Sequence, residues 1–241
     1  MLKALIFDVD GTLADTEAVH LEAFNHAFVQ EDMGWHWDTA LYTRLLDISG
    51  GKERMAHFWR TVNADVKEVS AGAMQATINR LHEIKTAWYE NAVSAGAVRL
   101  RPGVLALMNE ARGQGLQLAI ATTTSPVNIA ALLRTAVGPD WRSHFLAIGD
   151  ASSSPLKKPN PQVYLQVLNG MGLPASQCLA LEDSFNGLRA AMAAGICTVI
   201  TPNSFTAHHD FSGALRVVPD LGQVGLKDLQ DWHAHAGLRA V

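Results

Sequence analysis

What most constrains the fold of this chain is a rhythm. Short, continuous apolar runs alternate with segments whose apolar residues recur at helical spacing. Candidate strands are Ala4 to Phe7, Leu116 to Ala121, Phe145 to Ile148, Cys178 to Leu181 and Ile196 to Ile200, with a weaker run near Leu215 to Val218. Each run is continuous rather than alternating, which predicts strands covered on both faces, as in a parallel sheet joined by crossover helices. The class is α/β. The intervening helices carry apolar stripes, with Leu188, Ala191, Met192 and Gly195 predicted on one face. Asn160-Pro161 reads as an N-cap and first helical residue ahead of Val163, Tyr164, Val167 and Leu168, with Gly170 and Gly172 ending that helix.

One region breaks the rhythm. From about Asp15 to Ala97 there is no convincing strand, but helical stripes recur: Leu21, Phe24 and Phe28, then Met74, Ile78, Leu81 and Trp88. The chain's 241 residues exceed the usual single domain but fall short of two average ones. A helical insertion resolves that misfit. The predicted division is a core of residues 1–14 and 98–241 and a helical segment 15–97, which holds four of the six tryptophans. Its two connections, Ala14 to Glu17 and Ala95 to Arg101, are natural hinges.

Composition excludes several classes. Nineteen Lys+Arg against 23 Asp+Glu give a net charge of −4, which is no basic surface for nucleic acid, and 48% apolar residues mark a globular chain. The two cysteines, Cys178 and Cys197, sit in no CxxC or Cys/His cluster, so neither a disulfide scaffold nor a zinc site is expected, and a reducing cytoplasm fits. The opening apolar run is cut at Asp8, too early for a signal peptide. Ala190 to Ile200 falls well short of the ~20 residues of a membrane span.

The residues that carry chemistry stand at strand ends. Asp8-Val9-Asp10-Gly11-Thr12 follows the first strand directly, and paired acids there are costly unless something positive compensates them; Asp-Gly is also an ordinary turn. Glu182-Asp183 follows another apolar run, although Asp183-Ser184 reads equally as a helix N-cap. In a parallel sheet all strand C-termini open on one edge, where ligands bind. Four carboxylates would then converge with no Cys and no adjacent His, an oxygen-only set suited to Mg²⁺. Thr122-Thr123-Thr124-Ser125, after Leu116 to Ala121, supplies hydroxyl and N–H donors or simply a helix start. Lys157-Lys158-Pro159 supplies a cation, and Pro159 favours an extended Lys158 that projects into the crevice rather than into solvent. Carboxylates for a metal, hydroxyls for oxygens and a lysine for residual charge amount to a phosphate site.

With these residues in order, the chain resembles the haloacid dehalogenase-like hydrolases. Their four motifs correspond to Asp8-Val9-Asp10-Gly11-Thr12, Thr122, Lys158 before Pro159, and Glu182-Asp183. The resemblance spans nearly the whole chain and implies a Rossmann-like core with an inserted helical cap. Within that superfamily the chain looks most like the branch of CbbY, β-phosphoglucomutase and phosphoglycolate phosphatase. The residues behind this are Asp15-Thr16-Glu17 with His20, Gly50-Gly51-Lys52-Glu53-Arg54, and Leu181 to Gly187. The Gly-Gly-Lys-Glu-Arg stretch and the Thr-Thr-Thr-Ser run lean towards CbbY-like sugar-phosphate phosphatases.

The resemblance implies a cytoplasmic, monomeric, Mg²⁺-dependent phosphatase of a small phosphorylated sugar, such as the pentulose bisphosphate xylulose 1,5-bisphosphate. A phosphosugar mutase or a phosphoglycolate phosphatase is the alternative. Asp8 would be the nucleophile, Asp10 the acid and base, and Thr122 and Lys158 the phosphoryl contacts. The metal would be held by Asp8, the Asp10 carbonyl and Asp183, with Glu182 supporting. Thr123 and, in the cap, Glu17, His20, Gly51 and Lys52 are the expected substrate contacts. Lys52, placed on a Gly-Gly loop, would grip a second anionic group. Its other reading is a solvated charge cluster, and that of His20 a packing histidine.

Overall fold

A computed structural model describes residues 1–63 and 71–237. Residues 64–70 of the expected cap and 238–241 of the expected core lie outside the described residues. Strand β1 (Ala4–Phe7) is followed by helices α1 (Glu17–Gln30), α2 (Thr39–Leu45), α3 (Gly51–Val62) and α4 (Ala71–Ser94). The α/β rhythm then resumes with α5 (Val104–Gly113), β2 (Gln117–Ala121), α6 (Pro126–Ala136), β3 (Ala147–Gly149), α7 (Gln162–Met171), β4 (Cys178–Glu182) and α8 (Phe185–Ala193). It closes with β5 (Cys197–Ile200), β6 (Arg216–Val217) and α9 (Leu226–Gly237).

The strands form one six-stranded sheet in the order β3-β2-β1-β4-β5-β6, parallel throughout. Both faces are covered, as continuous apolar strands require. Leu5, Phe7, Leu118, Ile120, Leu179 and Leu181 point to one side, into a core shared with α5, α6 and α9. Ala4, Ile6, Ala119, Ala121 and Ala180 point to the other, beneath α7 and α8. The small residues on that second face let α7 come close: a Cβ on Gly149 would collide with Val163.

The strand order reverses direction between β1 and β4, and a parallel sheet opens a crevice at such a point. Phe7 is level with both Ile120 and Leu181, so Asp8 and Glu182 leave the sheet side by side, with Thr122 one step beyond β2.

Helices α1 to α4 have a cluster of their own around Phe24, Phe28, Trp37, Tyr42, Met55, Ile78 and Leu81. It is not sealed off from the sheet. Ala23, Tyr89 and Val93, on α1 and α4, join the sheet-side core, and α4 packs against α6. The stripe read on α4 is therefore divided: Ile78 and Leu81 go to the helical cluster and Trp88 to the sheet side.

Two local readings are corrected. The cap position of α7 falls on Pro161, while Asn160 Oδ1 accepts the N–H of Gln162; Gly170 lies inside the helix and only Gly172, at φ +64°, ends it. On α8 the buried stripe is Leu188, Ala190, Ala191 and Ala194, and Met192 and Gly195 are exposed. Three alanines and a leucine offer little hydrophobic contrast, so the stripe could be drawn one residue out of phase.

Candidate active site

The crevice at the reversal point is the floor of a cavity of about 390 Å³. Its floor carries Asp8, Asp10, Thr122, Lys158 and Asp183, and its opposite wall Glu17, His20, Lys52, Arg54, His82 and Lys85. Every residue given a catalytic, metal or substrate role from the sequence lines this space except Glu182, which is fully buried. Thr123 and Gly51 line it too.

Asp8 projects from the end of β1, and its Oδ1 accepts a hydrogen bond from Lys158 Nζ at 2.7 Å. Lys158 also donates to Glu182 Oε1 at 2.5 Å and to the Ala121 carbonyl at 2.8 Å. Lys158 thus meets the Asp8 carboxylate directly, whereas Lys157, which also lines the cavity, does not. Lys157 Nζ instead donates to the Ala151 and Ser154 carbonyls at the rim. Burial raises the Asp8 carboxyl to about 7, against the opposing pull of Lys158. Burial would lower Lys158, but Asp8 and Glu182 override it and hold the ammonium charged.

The second acid faces the other way. Asp10 Oδ1 accepts from Thr16 Oγ1 at 2.7 Å and meets His20 Nε2 at 2.9 Å, while Lys85 Nζ reaches His20 Nδ1 at 2.8 Å. An ammonium can only donate, so His20 Nδ1 is an acceptor and its Nε2–H donates to Asp10. Burial and Lys85 lower the pKa of His20, and burial likewise brings Lys85 to about 8. Burial works against the ionised Asp10 carboxyl too, but His20 and the Thr16 hydroxyl hold it at about 2. His20 is therefore neither a free substrate contact nor mere packing, although its ring does stack on Tyr89 at 4.1 Å.

The remaining acids show how helix starts and site residues share one turn. Ser184, not Asp183, caps α8 by accepting the N–H of Gly187, which leaves the Asp183 carboxylate to the cavity. Ser125 likewise caps α6, while Thr122 Oγ1 accepts the Thr124 N–H at 3.3 Å and Thr124 Oγ1 accepts from Asn128 Nδ2 at 3.1 Å. Asn203 Nδ2 donates to Asp183 Oδ2 at 2.8 Å. The turn at Gly11, φ +81°, is set by this contact: a Cβ there would strike both Asp183 and Asn203.

Asp8, Glu182 and Asp183 each bring an oxygen within 4.8 Å of the others. Burial, then Asp8 and Glu182, raise Asp183 well above the usual carboxylate range, and Glu182 Oε2 is buried with no hydrogen-bond partner. Three crowded carboxylates and one orphaned anionic oxygen fit a hard divalent cation such as Mg²⁺. The Asp10 side chain, turned to His20, is not part of this cluster.

On the opposite wall, Lys52 lies in the first turn of α3 rather than on a free loop, with Gly50 at φ +96° as the cap residue. Its Nζ donates to Asn79 Oδ1 at 2.8 Å. Burial, then Lys85 and Lys52, push His82 down to about 3, a measure of how positive this wall is. Glu17 accepts from Tyr42 OH at 2.6 Å, and Arg54 donates to that same hydroxyl and to the Leu45 and Ile48 carbonyls.

Several members escape sequence reading. Tyr164 reads as part of an apolar stripe, yet its hydroxyl donates to Glu182 Oε1 at 2.6 Å. Arg101 donates to Gly11 O, Thr201 O and Pro202 O and pairs with Asp15 at 3.2 Å, tying the motif turn to the second hinge. Lys85 had a signal: a lysine four residues after Leu81, on a stripe that is otherwise apolar.

Comparison with known proteins agrees with this geometry. A family model described as haloacid dehalogenase-like hydrolase matches residues 2–195. The protein CbbY, plasmid, of Cupriavidus necator is 56% identical over 221 residues, covering 92% of this chain and 86% of that protein. The crystal structure of CbbY from Rhodobacter sphaeroides in complex with phosphate superposes with a TM-score of 0.87 at 39% identity, covering 95% of this chain and all of that one. A variant of the same protein in complex with xylulose-(1,5)bisphosphate gives the same TM-score and identity, over 95% and 99% of the two chains.

Proposed function

The chain belongs to the haloacid dehalogenase-like hydrolases, and from that premise we propose that it is a Mg²⁺-dependent phosphatase of a small phosphorylated sugar, with xylulose 1,5-bisphosphate the leading candidate. One observation carries the reading. A buried carboxylate, Asp8, held by Lys158 at 2.7 Å, faces a cavity whose far wall presents Lys52 and Lys85. Such a space has anion-binding groups at both ends, as a bisphosphate requires. The bisphosphate bound by the Rhodobacter sphaeroides relative supports the same substrate class.

In this mechanism the Asp8 carboxylate attacks phosphorus, forming an aspartyl-phosphate as the bond to the sugar oxygen breaks. Lys158 and the Thr122 hydroxyl hold phosphoryl oxygens during the transfer, with Thr123 beside them. Asp10 gives the departing oxygen its proton. Because Asp10 rests ionised, that proton comes down the Lys85–His20 chain: Lys85 Nζ gives one to His20 Nδ1 as His20 Nε2 gives one to Asp10 Oδ1. Asp10 then takes a proton from the water whose oxygen attacks the aspartyl-phosphate, releasing inorganic phosphate and restoring Asp8. Asp8, Asp183 and the Asp10 main-chain carbonyl, with Glu182 in support, would hold Mg²⁺, which when bound would supply the positive charge that offsets repulsion between carboxylate and phosphate. Glu17, Gly51 and Lys52 contact the sugar and its second phosphate, and residues 15–97 act as a lid over a core of 1–14 and 98–241.

We place this enzyme in the cytoplasm as a monomer. Cys178 and Cys197 are free, and no helix among the described residues is long and apolar enough to cross a membrane. The test is phosphate release from a panel of triose, pentose and pentulose mono- and bisphosphates and phosphoglycolate, with and without Mg²⁺. The expected result is fastest Mg²⁺-dependent release from a pentulose bisphosphate. Formation of glucose 6-phosphate from β-glucose 1-phosphate without inorganic phosphate would overturn it in favour of a mutase.

A further inference from the structure

The segment that leads Gly51 and Lys52 into the cavity is gripped from the sheet side. Asn186, in the first turn of α8, donates its Nδ2 to the Asp47 carbonyl at 2.8 Å and to Ser49 Oγ at 3.2 Å. His209, on the chain between β5 and β6, lies beside it. Its Nε2 stands 3.7 Å from Asp47 Oδ1 and has no hydrogen-bond partner, although the side chain is only 8% exposed. Asp47 and Ser49 lie between α2 and α3, immediately before the Gly50 cap of α3, so these contacts cross from the helical segment to the sheet.

Two readings of this cluster differ in chemistry. Asp47, His208 and His209 each offer an atom within 4.8 Å of the others, spacing a transition metal could draw together. The hydrogen bond at the far side of the His209 ring argues against that. Nδ1 accepts the Phe185 N–H at 3.2 Å, so the single proton of the neutral ring sits on Nε2. Burial and the adjacent His208 keep the ring neutral. The atom facing Asp47 is thus a donor and not a metal-binding lone pair. A buried donor without an acceptor is costly, and the nearest one is a carboxylate less than 1 Å too far for a good bond.

We infer that Asn186 and His209 are positioning residues that seat the Asp47–Ser49 segment on the sheet, so that contact of Lys52 with a second substrate phosphate depends on a bond made across the seam. Closure by less than an ångström completes the His209–Asp47 pair, while Asn186 holds the main chain in register. Asn186 stands in the turn that follows Asp183, so the candidate metal site and the lid share one rigid element. The inference rests on the phosphatase reading for its substrate consequence but not for the seam itself.

The test therefore has two arms. In the first, Asn186→Ala and His209→Ala are assayed with xylulose 1,5-bisphosphate and with p-nitrophenyl phosphate, whose single phosphate has no use for Lys52. A lost hydrogen bond of ordinary strength gives a rise of roughly tenfold in KM for the bisphosphate in either variant. The artificial ester should lose less than about threefold in kcat/KM on the same scale. In the second, amide hydrogen exchange of residues 46–53 is followed without substrate: it should accelerate in Asn186→Ala, whose two bonds to the segment are already made, with residues 178–183 unchanged.

Equal losses on both substrates, or unaltered exchange at 46–53, would overturn the inference, because a merely structural role moves both substrates together. So would micromolar Zn²⁺ binding that His208→Ala abolishes. Accelerated exchange in a protein that hydrolyses neither compound would leave the seam standing and sink the phosphatase reading instead.

Discussion

The two walls of the cavity are charged in opposite ways and held by opposite means. On the sheet side, Asp8, Glu182 and Lys158 are almost wholly buried and answer one another at 2.5 to 2.7 Å, at the ends of strands whose register fixes their spacing. On the helical side, Lys52 is exposed and spends its ammonium on Asn79, while Lys85 reaches the floor only through His20. A buried network tolerates no loose member, because a missing partner leaves a charge in low dielectric. An exposed cation can be moved or replaced at little cost. The floor, with the buried His20–Lys85 chain, therefore suits chemistry that must not vary, and exposed Lys52 suits a substrate preference that can.

The largest separation between the two should come from Asp8→Asn. Loss of the nucleophile should cut kcat by roughly 10⁴-fold or more while circular dichroism stays unchanged. Lys158→Ala comes next: it strands Asp8 and Glu182, and about 3–5 kcal/mol of unfolding free energy should vanish in urea titrations. Loss of less than about 1 kcal/mol would mean the floor is wetter and softer than its geometry says.

Third is Mg²⁺ and pH. Asp8, raised to about 7, and Asp183, also raised, keep protons in the folded state that the unfolded chain releases near pH 4. Their contribution to the stability of the metal-free protein should therefore fall as pH rises from about 4 to 7, against the rising contribution of histidines held neutral by burial, such as His20 and His82. Mg²⁺ at about 100 Kd and pH 7.5 should raise Tm by roughly 5–10 °C, and by less at pH 5, where protons compete. A pH dependence left unchanged by Asp8→Asn would contradict the carboxylate cluster. The smallest effect belongs to the other wall. Lys52→Ala should raise KM for a bisphosphate about tenfold, leave a monophosphate within about twofold, and not change Tm.

The same contrast explains what could be read from the sequence. Asp8, Thr122, Lys158 and Asp183 follow apolar strands, and a parallel sheet brings strand ends together whatever the intervening chain does; local pattern was enough. The helical segment has no such rule. Lys85 meets His20 across 65 positions, and Arg101 meets Thr201 across 100, through packing that no spacing announces. Tyr164 was hidden for another reason: a tyrosine on an apolar stripe shows its ring to the core and its hydroxyl to Glu182, and only the first is visible in periodicity. Two glycines before Lys52 suggest a loop, yet Gly50 serves as the cap of α3 and Gly51 as its first residue.

The central claim is that Asp8 itself accepts the phosphoryl group. During turnover of a sugar bisphosphate with Mg²⁺, borohydride reduces an acyl phosphate to the alcohol, which would convert Asp8 to homoserine. Peptide mass spectrometry should find that conversion at Asp8, dependent on both substrate and Mg²⁺. Undiminished phosphate release with no reduction at Asp8, or with reduction at another carboxylate, would contradict it.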